Sequence, residues 1–215
     1  MPTVPHFAVL ESRWWKEGNH SVRPLFAAVA EIHYANPSAF YYDMFAEERS
    51  LAALLAARGS DGTTEVIYLA THGDENGNEI SGLGESTISR AKLKNSIAVA
   101  NGKKQIRGLF LGTCFTGNHS MAKFLLDPST KLEWVAGYGC EVDWIDGSAI
   151  DMIFFSRLAE EYVENTSRKK GKLSPFKMAH RAASSVVNLV PGAVSKYKFN
   201  FFHSEKGALK AMFAE

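Results

Sequence analysis

The sequence predicts a three-layer α/β sandwich, in which helices cover both faces of a mostly parallel central sheet. Three observations support this prediction. The stretches 64–70 and 106–114 are almost entirely apolar, which is typical of central strands buried on both faces. Such stretches alternate along the chain with segments of helical periodicity. The length of 215 residues suits one domain with a substantial core, so we expect a single domain over residues 1–215.

The first quarter of the chain predicts two strand and helix pairs. The apolar segment 7–15 is strand-like, and residues 23–33 carry apolar side chains at helical spacing. The aromatic-rich segment 39–45 predicts a second strand. Ser50 is a candidate helix cap, and a helix over 51–58 would end at the glycines that follow.

The middle of the chain contains the two most apolar strands. The first, 64–70, leads into a polar loop and a predicted hairpin within 76–86, followed by a helix over 89–99. The second strand, 106–114, is followed by a predicted helix over 119–126.

The last third predicts two strands and two helices. A strand over 131–139 precedes a long helix over 148–165, whose apolar residues recur on one face. Pro175 at a first helical turn predicts a helix to Val190, and 197–203 predicts the last strand of the sheet.

Composition gives no support for nucleic-acid or membrane binding. Lys and Arg total 24 against 23 for Asp and Glu, and the one basic run, 168–172, fits a solvated loop. No signal peptide is predicted at the N-terminus, and no apolar run approaches the roughly 18 residues of a membrane helix. Two cysteines, Cys114 and Cys140, are too few for a disulfide scaffold and suit a reducing compartment, so we expect a cytoplasmic protein.

Two apolar strands end at chemically reactive residues, His72-Gly73 and Cys114. Sites in open α/β sheets form at the carboxyl ends of strands, so neighbouring strands would bring His72 and Cys114 together. An imidazole can accept the proton of a thiol and so promote its attack. The backbone N–H groups of Gly73 and Cys114 would then be candidates for an oxyanion hole. Taken singly, each residue is more simply a buried small side chain or a solvated loop histidine.

The blocks YLATHG and LFLGTCFTG resemble the paired histidine and cysteine blocks of the caspase-like (clan CD) cysteine peptidases, most closely the CHAT-domain branch. The segment WVAGYGCEVDWIDGSAIDMIFF resembles the strand, acidic loop and long helix that follow in that branch, so the resemblance covers residues 64–155. It implies a caspase-like fold and peptide-bond hydrolysis without a cofactor. Cys114 would be the nucleophile and His72 the proton-transfer group, with oxyanion donors from Gly73 and Cys114.

Substrate recognition is where the chain departs from some relatives, which carry an acidic residue two positions before the cysteine. Here that position is Gly112. The resemblance points instead to the acidic loop after the next strand, so Glu141, Asp143 and Asp146 are candidate substrate-binding residues that would favour a lysine or arginine side chain. A solvated acidic loop is the alternative.

Other functions remain open on the sequence. A catalytically inactive caspase-like module would bind a partner instead of cleaving a substrate, and control by a regulatory protein or by self-association is compatible with either function. A class I amidotransferase-like hydrolase would need a histidine after the nucleophile, such as His180 or His203. The nucleophile-elbow motif of that class has glycine two residues after the nucleophile, whereas this chain has Thr116 there. Cys140 is predicted to be structural, and no spacing of histidines and cysteines indicates a metal site.

Overall fold

The computed structural model of the protein describes residues 6–13, 15–84 and 86–213, and it confirms the predicted α/β alternation. The strands are β1 (Phe7–Ser12), β2 (Tyr41–Phe45), β3 (Val66–Ala70), β4 (Glu79–Ser81), β5 (Thr87–Ser89), β6 (Gly108–Gly112), β7 (Trp134–Tyr138), β8 (Phe199–Glu205) and β9 (Ala208–Ala211). The helices are α1 (Arg23–Tyr34), α2 (Glu48–Ser60), α3 (Arg90–Ala100), α4 (His119–Leu125), α5 (Trp144–Ser167) and α6 (Pro175–Leu189).

The central sheet has seven strands in the order β2-β1-β3-β6-β7-β8-β9. From β2 to β7 all neighbours are parallel, and β8 and β9 extend one edge in antiparallel orientation. The predicted hairpin after His72 is present as the antiparallel pair β4 and β5. The sheet is therefore mixed but mostly parallel, as expected from strands that alternate with crossover helices.

Hydrophobic cores lie on both faces of the sheet because successive strand residues point to opposite sides. Tyr68 and Phe110 belong to the core that includes residues of α1, α5 and α6. Leu69 and Leu111, their neighbours in the chain, belong to the core with residues of α2, α3 and α4. The helices thus flank the sheet on two sides, and β3 and β6 lie at its centre.

Two predicted helix starts are wrong for local reasons. Helix α5 begins at Trp144 and not at Ser148, because the Asp143 side chain accepts a hydrogen bond from the Ile145 N–H at 2.8 Å and caps the helix. Helix α2 begins at Glu48, so Ser50 lies inside its first turn, where its hydroxyl accepts from the Glu47 N–H at 3.1 Å.

The predicted last strand is followed by another. Lys206 and Gly207 adopt left-handed backbone angles, with φ of 51° and 81°, and reverse the chain from β8 into β9. Trp14 of the predicted first strand and Glu85 of the predicted hairpin lie outside the described residues. Over the residues that the structure describes, no helix has the length and apolar character needed to cross a membrane.

Candidate active site

The pairing of β3 with β6 brings His72 and Cys114 to the same edge of the sheet. The register pairs Ala70 with Gly112, and each reactive residue lies two positions beyond its strand's last pair. Both residues line one cavity of about 430 Å³. His72 is exposed, whereas Cys114 is half-buried. The predicted convergence of the two residues is therefore present in the structure.

Gly73 lies where a side chain would not fit. A Cβ atom on this residue would overlap with the carbonyl oxygen of Cys114 and with the side chain of Thr116. The backbones that carry the histidine and the cysteine are therefore in direct contact, and glycine at position 73 permits that contact.

The loop that carries His72 is held by the hairpin. The His72 carbonyl accepts a hydrogen bond from the Ser81 N–H at 2.8 Å, and the Thr71 hydroxyl donates to the Ser81 carbonyl. One oxygen of the Asp74 carboxylate accepts from the N–H groups of Asn78 and Glu79, each at 2.7 Å. Asp74 is thus a turn-forming residue that fixes the loop.

Cys114 lies at the start of a tight turn. The Thr116 N–H donates to the Cys114 carbonyl at 2.7 Å, and Phe115, between them, has a left-handed backbone with φ of 63°. In a nucleophile elbow the nucleophile itself occupies the strained position, so this turn differs from that of an α/β-hydrolase or amidotransferase.

The Cys114 sulfur contacts the backbone of the loop after β7. The Val142 N–H donates to Sγ at 3.4 Å, and Sγ lies 3.6 Å from the Val142 carbonyl, to which the thiol form can donate. Sequence patterns gave no sign of this contact because it is made by the backbone.

The N–H groups of Gly73 and Cys114, the candidate oxyanion donors, do not form the hydrogen bonds that hold their loops in place. The bridge between Gly73 and Ile80 is closed by hydrogen bonds of the flanking residues, from Asp74 N–H to Glu79 and from Ser81 N–H to His72. Among the described residues, neither the Gly73 N–H nor the Cys114 N–H donates to another backbone group in these turns. Both groups belong to residues that line the cavity, which keeps them candidates for oxyanion donors.

The three predicted substrate-binding acids have different surroundings. Glu141 and Asp143 line the cavity, and Asp143 also caps α5. Asp146 is not among the described residues that line the cavity. Its carboxylate accepts hydrogen bonds from the Tyr197 hydroxyl and, at 3.3 Å, from the Lys196 ammonium, and these contacts lower its pKa.

The floor of the cavity holds an acid that sequence reasoning missed, Asp151 of α5. Its two carboxylate oxygens accept hydrogen bonds from the hydroxyls of Tyr68 and Tyr138, each at 2.5 Å. All three residues line the cavity, and Asp151 is 5% exposed. Burial raises the pKa of this carboxyl to about 7, although the tyrosine hydrogen bonds act in the opposite direction. A signal was present in the sequence, because Asp151 interrupts an otherwise apolar face of a long helix.

The remaining histidines and the second cysteine lie away from this pair. His203 pairs with Trp134 at the start of β7, the end of that strand opposite the cavity, and His180 contacts Phe201 of the same β8 strand. The Cys140 sulfur lies 3.3 Å from the Glu141 carbonyl and 3.4 Å from the Lys196 carbonyl, either of which can accept the thiol proton, and burial raises the pKa of this thiol. No group of three or more His, Cys, Asp or Glu residues suited to a metal ion is found in the part of the chain that the structure describes.

No protein-family model matches the sequence, and no curated protein matches it either.

Proposed function

We propose that the protein is a cysteine peptidase of caspase-like fold that hydrolyses peptide bonds with Cys114 and His72. The observation that carries the proposal is that both residues line one cavity, just beyond the carboxyl ends of neighbouring parallel strands. A thiol beside an imidazole in a concave site is the arrangement that nucleophilic catalysis requires. The resemblance of both blocks to the caspase-like peptidases of the CHAT branch supports the same function.

Acylation begins when His72 accepts the proton of the Cys114 thiol and the sulfur attacks the carbonyl carbon of the scissile bond. The carbonyl oxygen becomes an oxyanion, for which the N–H groups of Gly73 and Cys114 are donors. His72 then donates its proton to the leaving amine as the C–N bond breaks. The product of this step is a thioester on Cys114.

Deacylation uses the same two residues. His72 accepts a proton from water, the resulting hydroxide attacks the thioester carbonyl, and the C–S bond breaks. The proton returns to the sulfur, so the enzyme is regenerated and one water is consumed. The Val142 N–H, at 3.4 Å from Sγ, supports the thiolate that forms when the sulfur departs.

Hydrolysis of a fluorogenic peptide library by the purified protein tests the proposal. We expect Cys114→Ala to abolish turnover, and His72→Ala to lower kcat/KM by about 10²–10⁴-fold, the usual contribution of general acid–base catalysis. Cys140→Ala is the matched control and retains activity, because its side chain does not line the cavity among the described residues. Hydrolysis by the isolated chain would also argue against a required activator.

Three results would contradict the proposal. Retained turnover in Cys114→Ala would exclude this nucleophile. Dependence on His180 or His203 in place of His72 would favour the amidotransferase-like hydrolase. Failure of the wild type to cleave any library peptide would favour the inactive, partner-binding module.

A further inference from the structure

Asp151 is a buried acid in the candidate active site that the proposed reaction does not use. Its carboxylate lies at the floor of the cavity that contains Cys114 and His72. We propose that Asp151 is the specificity-determining residue and that it binds the cationic side chain, lysine or arginine, of the substrate residue whose carbonyl is attacked. This inference rests on the proposed function and assigns the residue that selects the substrate.

The carboxylate is held in a fixed orientation. Tyr68 lies on β3 and Tyr138 on β7. Their hydroxyls each donate a hydrogen bond of 2.5 Å to a different oxygen of the Asp151 carboxylate. Each oxygen retains a further lone pair for a ligand. Locked acceptors of this kind recognise a guanidinium or ammonium group at little cost in conformational entropy.

The helical turn that precedes Asp151 on α5 carries small residues where it borders the cavity. Gly147 and Ser148 precede Asp151 by four and three residues on α5, and both line the cavity. Residues at these spacings lie one turn above on the same helix face. Larger side chains there would cover the acid, so the small residues of α5 let Asp151 line the cavity although it is only 5% exposed.

The residues around Gly112 explain why the acid comes from α5. A Cβ atom on Gly112 would overlap with the ring and hydroxyl of Tyr68, the side chain that holds Asp151. An acidic side chain at position 112 and the tyrosine contact are therefore mutually exclusive. In this chain Tyr68 occupies the space that a side chain at position 112 would fill, and Asp151 provides the negative charge.

The electrostatics of the cavity favour a cation. Over residues 6–13, 15–84 and 86–213, the cavity lining contains four carboxylates, Glu75, Glu141, Asp143 and Asp151, and no lysine or arginine. Asp151 thus lacks a cationic partner within the described lining, and a buried charge without one is costly. Burial raises its pKa to about 7, and an arriving cation would lower that pKa and stabilise the ionised carboxylate.

Peptide selectivity tests the inference. The wild type is assayed with peptides that differ only in the residue before the scissile bond, and we expect Lys and Arg to be preferred over Gln, Leu and Asp. Asp151→Asn should lower kcat/KM for Lys and Arg peptides on the order of a hundredfold and leave the Gln and Leu peptides within about threefold. Asp127→Asn is the matched control, since this carboxylate is on a surface loop, 41% exposed. An equal loss for all peptides, or no cationic preference in the wild type, would overturn the inference.

A binding measurement separates this inference from the proposed function. Agmatine, a small guanidinium compound, is titrated into wild type, Asp151→Asn and Asp127→Asn by calorimetry. Binding that weakens at least tenfold only in Asp151→Asn supports the cation site even if no peptide is cleaved, in which case the peptidase proposal alone fails. Absent or equal binding in wild type and Asp151→Asn overturns the cation site even if peptides are cleaved. Circular dichroism of each variant verifies its fold.

Discussion

The floor and the rim of the cavity carry the same kind of side chain in opposite environments. At the floor, Asp151 is buried and held by two tyrosine hydroxyls. At the rim, Glu141 and Asp143 are exposed, and Asp143 caps a helix. Water and the helix end satisfy the rim acids, whereas the charge at the floor has no cationic partner among the described lining residues. Burial, and not the number of acids, therefore distinguishes the carboxylate at the floor from those at the rim.

The largest expected effect is the dependence of stability on pH. The carboxyl pKa of Asp151 rises from its ordinary 3.8 to about 7 in the folded protein, so between these values the folded state binds more protons than the unfolded state. Stability contributed by this group therefore falls as pH rises from about 4 to about 7, by up to about 4 kcal/mol at about 1.36 kcal/mol per pKa unit. Asp151→Asn should remove this fall. Urea unfolding of both proteins at pH 5 and pH 8 measures the part of this fall that lies above pH 5, about 3 kcal/mol.

Asp127→Asn serves as the control for that experiment and should keep the pH dependence of the wild type. Parallel pH profiles of wild type and Asp151→Asn would show that the floor carboxyl is not perturbed, and the contrast between floor and rim would then lose its energetic basis.

A smaller effect is expected from filling the space that Tyr68 occupies. Gly112→Ala would force the tyrosine to move, and overpacking of this kind costs about 1–3 kcal/mol. It should also weaken the preference for cationic peptides, because Tyr68 would release one oxygen of Asp151. Gly102→Ala is the matched control: a Cβ there meets only the Val99 carbonyl at 4.0 Å, and we expect a change within about 0.5 kcal/mol. Equal effects of the two substitutions on stability and selectivity would count against this role of Tyr68.

The smallest effect is expected at the rim. Glu141→Gln removes an exposed charge, which contributes at most about 1 kcal/mol in water and is screened by salt. The kcat/KM for a Lys peptide should fall less than about fivefold at low salt, and the difference should vanish near 1 M salt, where the Debye length is about 3 Å. A salt-resistant loss as large as that of Asp151→Asn would move the selectivity from the floor to the rim.

The sequence predicts the elements and the reactive pair, but only part of the cavity. The apolar runs that become β3 and β6 identify central parallel strands, and parallel strands share one carboxyl edge, so the meeting of His72 and Cys114 follows. The role of Asp151 was hidden because it depends on Tyr68 and Tyr138, whose positions follow from strand order and register. Neither the order of the strands in the sheet nor their register can be read from the sequence around Asp151.

The other errors have local causes. The acid Asp143 was assigned to a loop, although it caps α5, because capping and solvated acids look alike in sequence. Strand β9 was missed because its four residues, ALKA, are short and lack strong β-formers.

The rate at which Cys114 reacts with a lysine chloromethylketone tests the central claim most directly, since it reports the nucleophile without requiring turnover. Modification is located by mass spectrometry in wild type, His72→Ala, Cys114→Ala and Cys140→Ala. We expect modification at Cys114 that slows at least about a hundredfold in His72→Ala, is absent in Cys114→Ala and is unchanged in Cys140→Ala. Equal rates in wild type and His72→Ala, or modification confined to Cys140, would contradict the assignment of His72 and Cys114 as a catalytic pair.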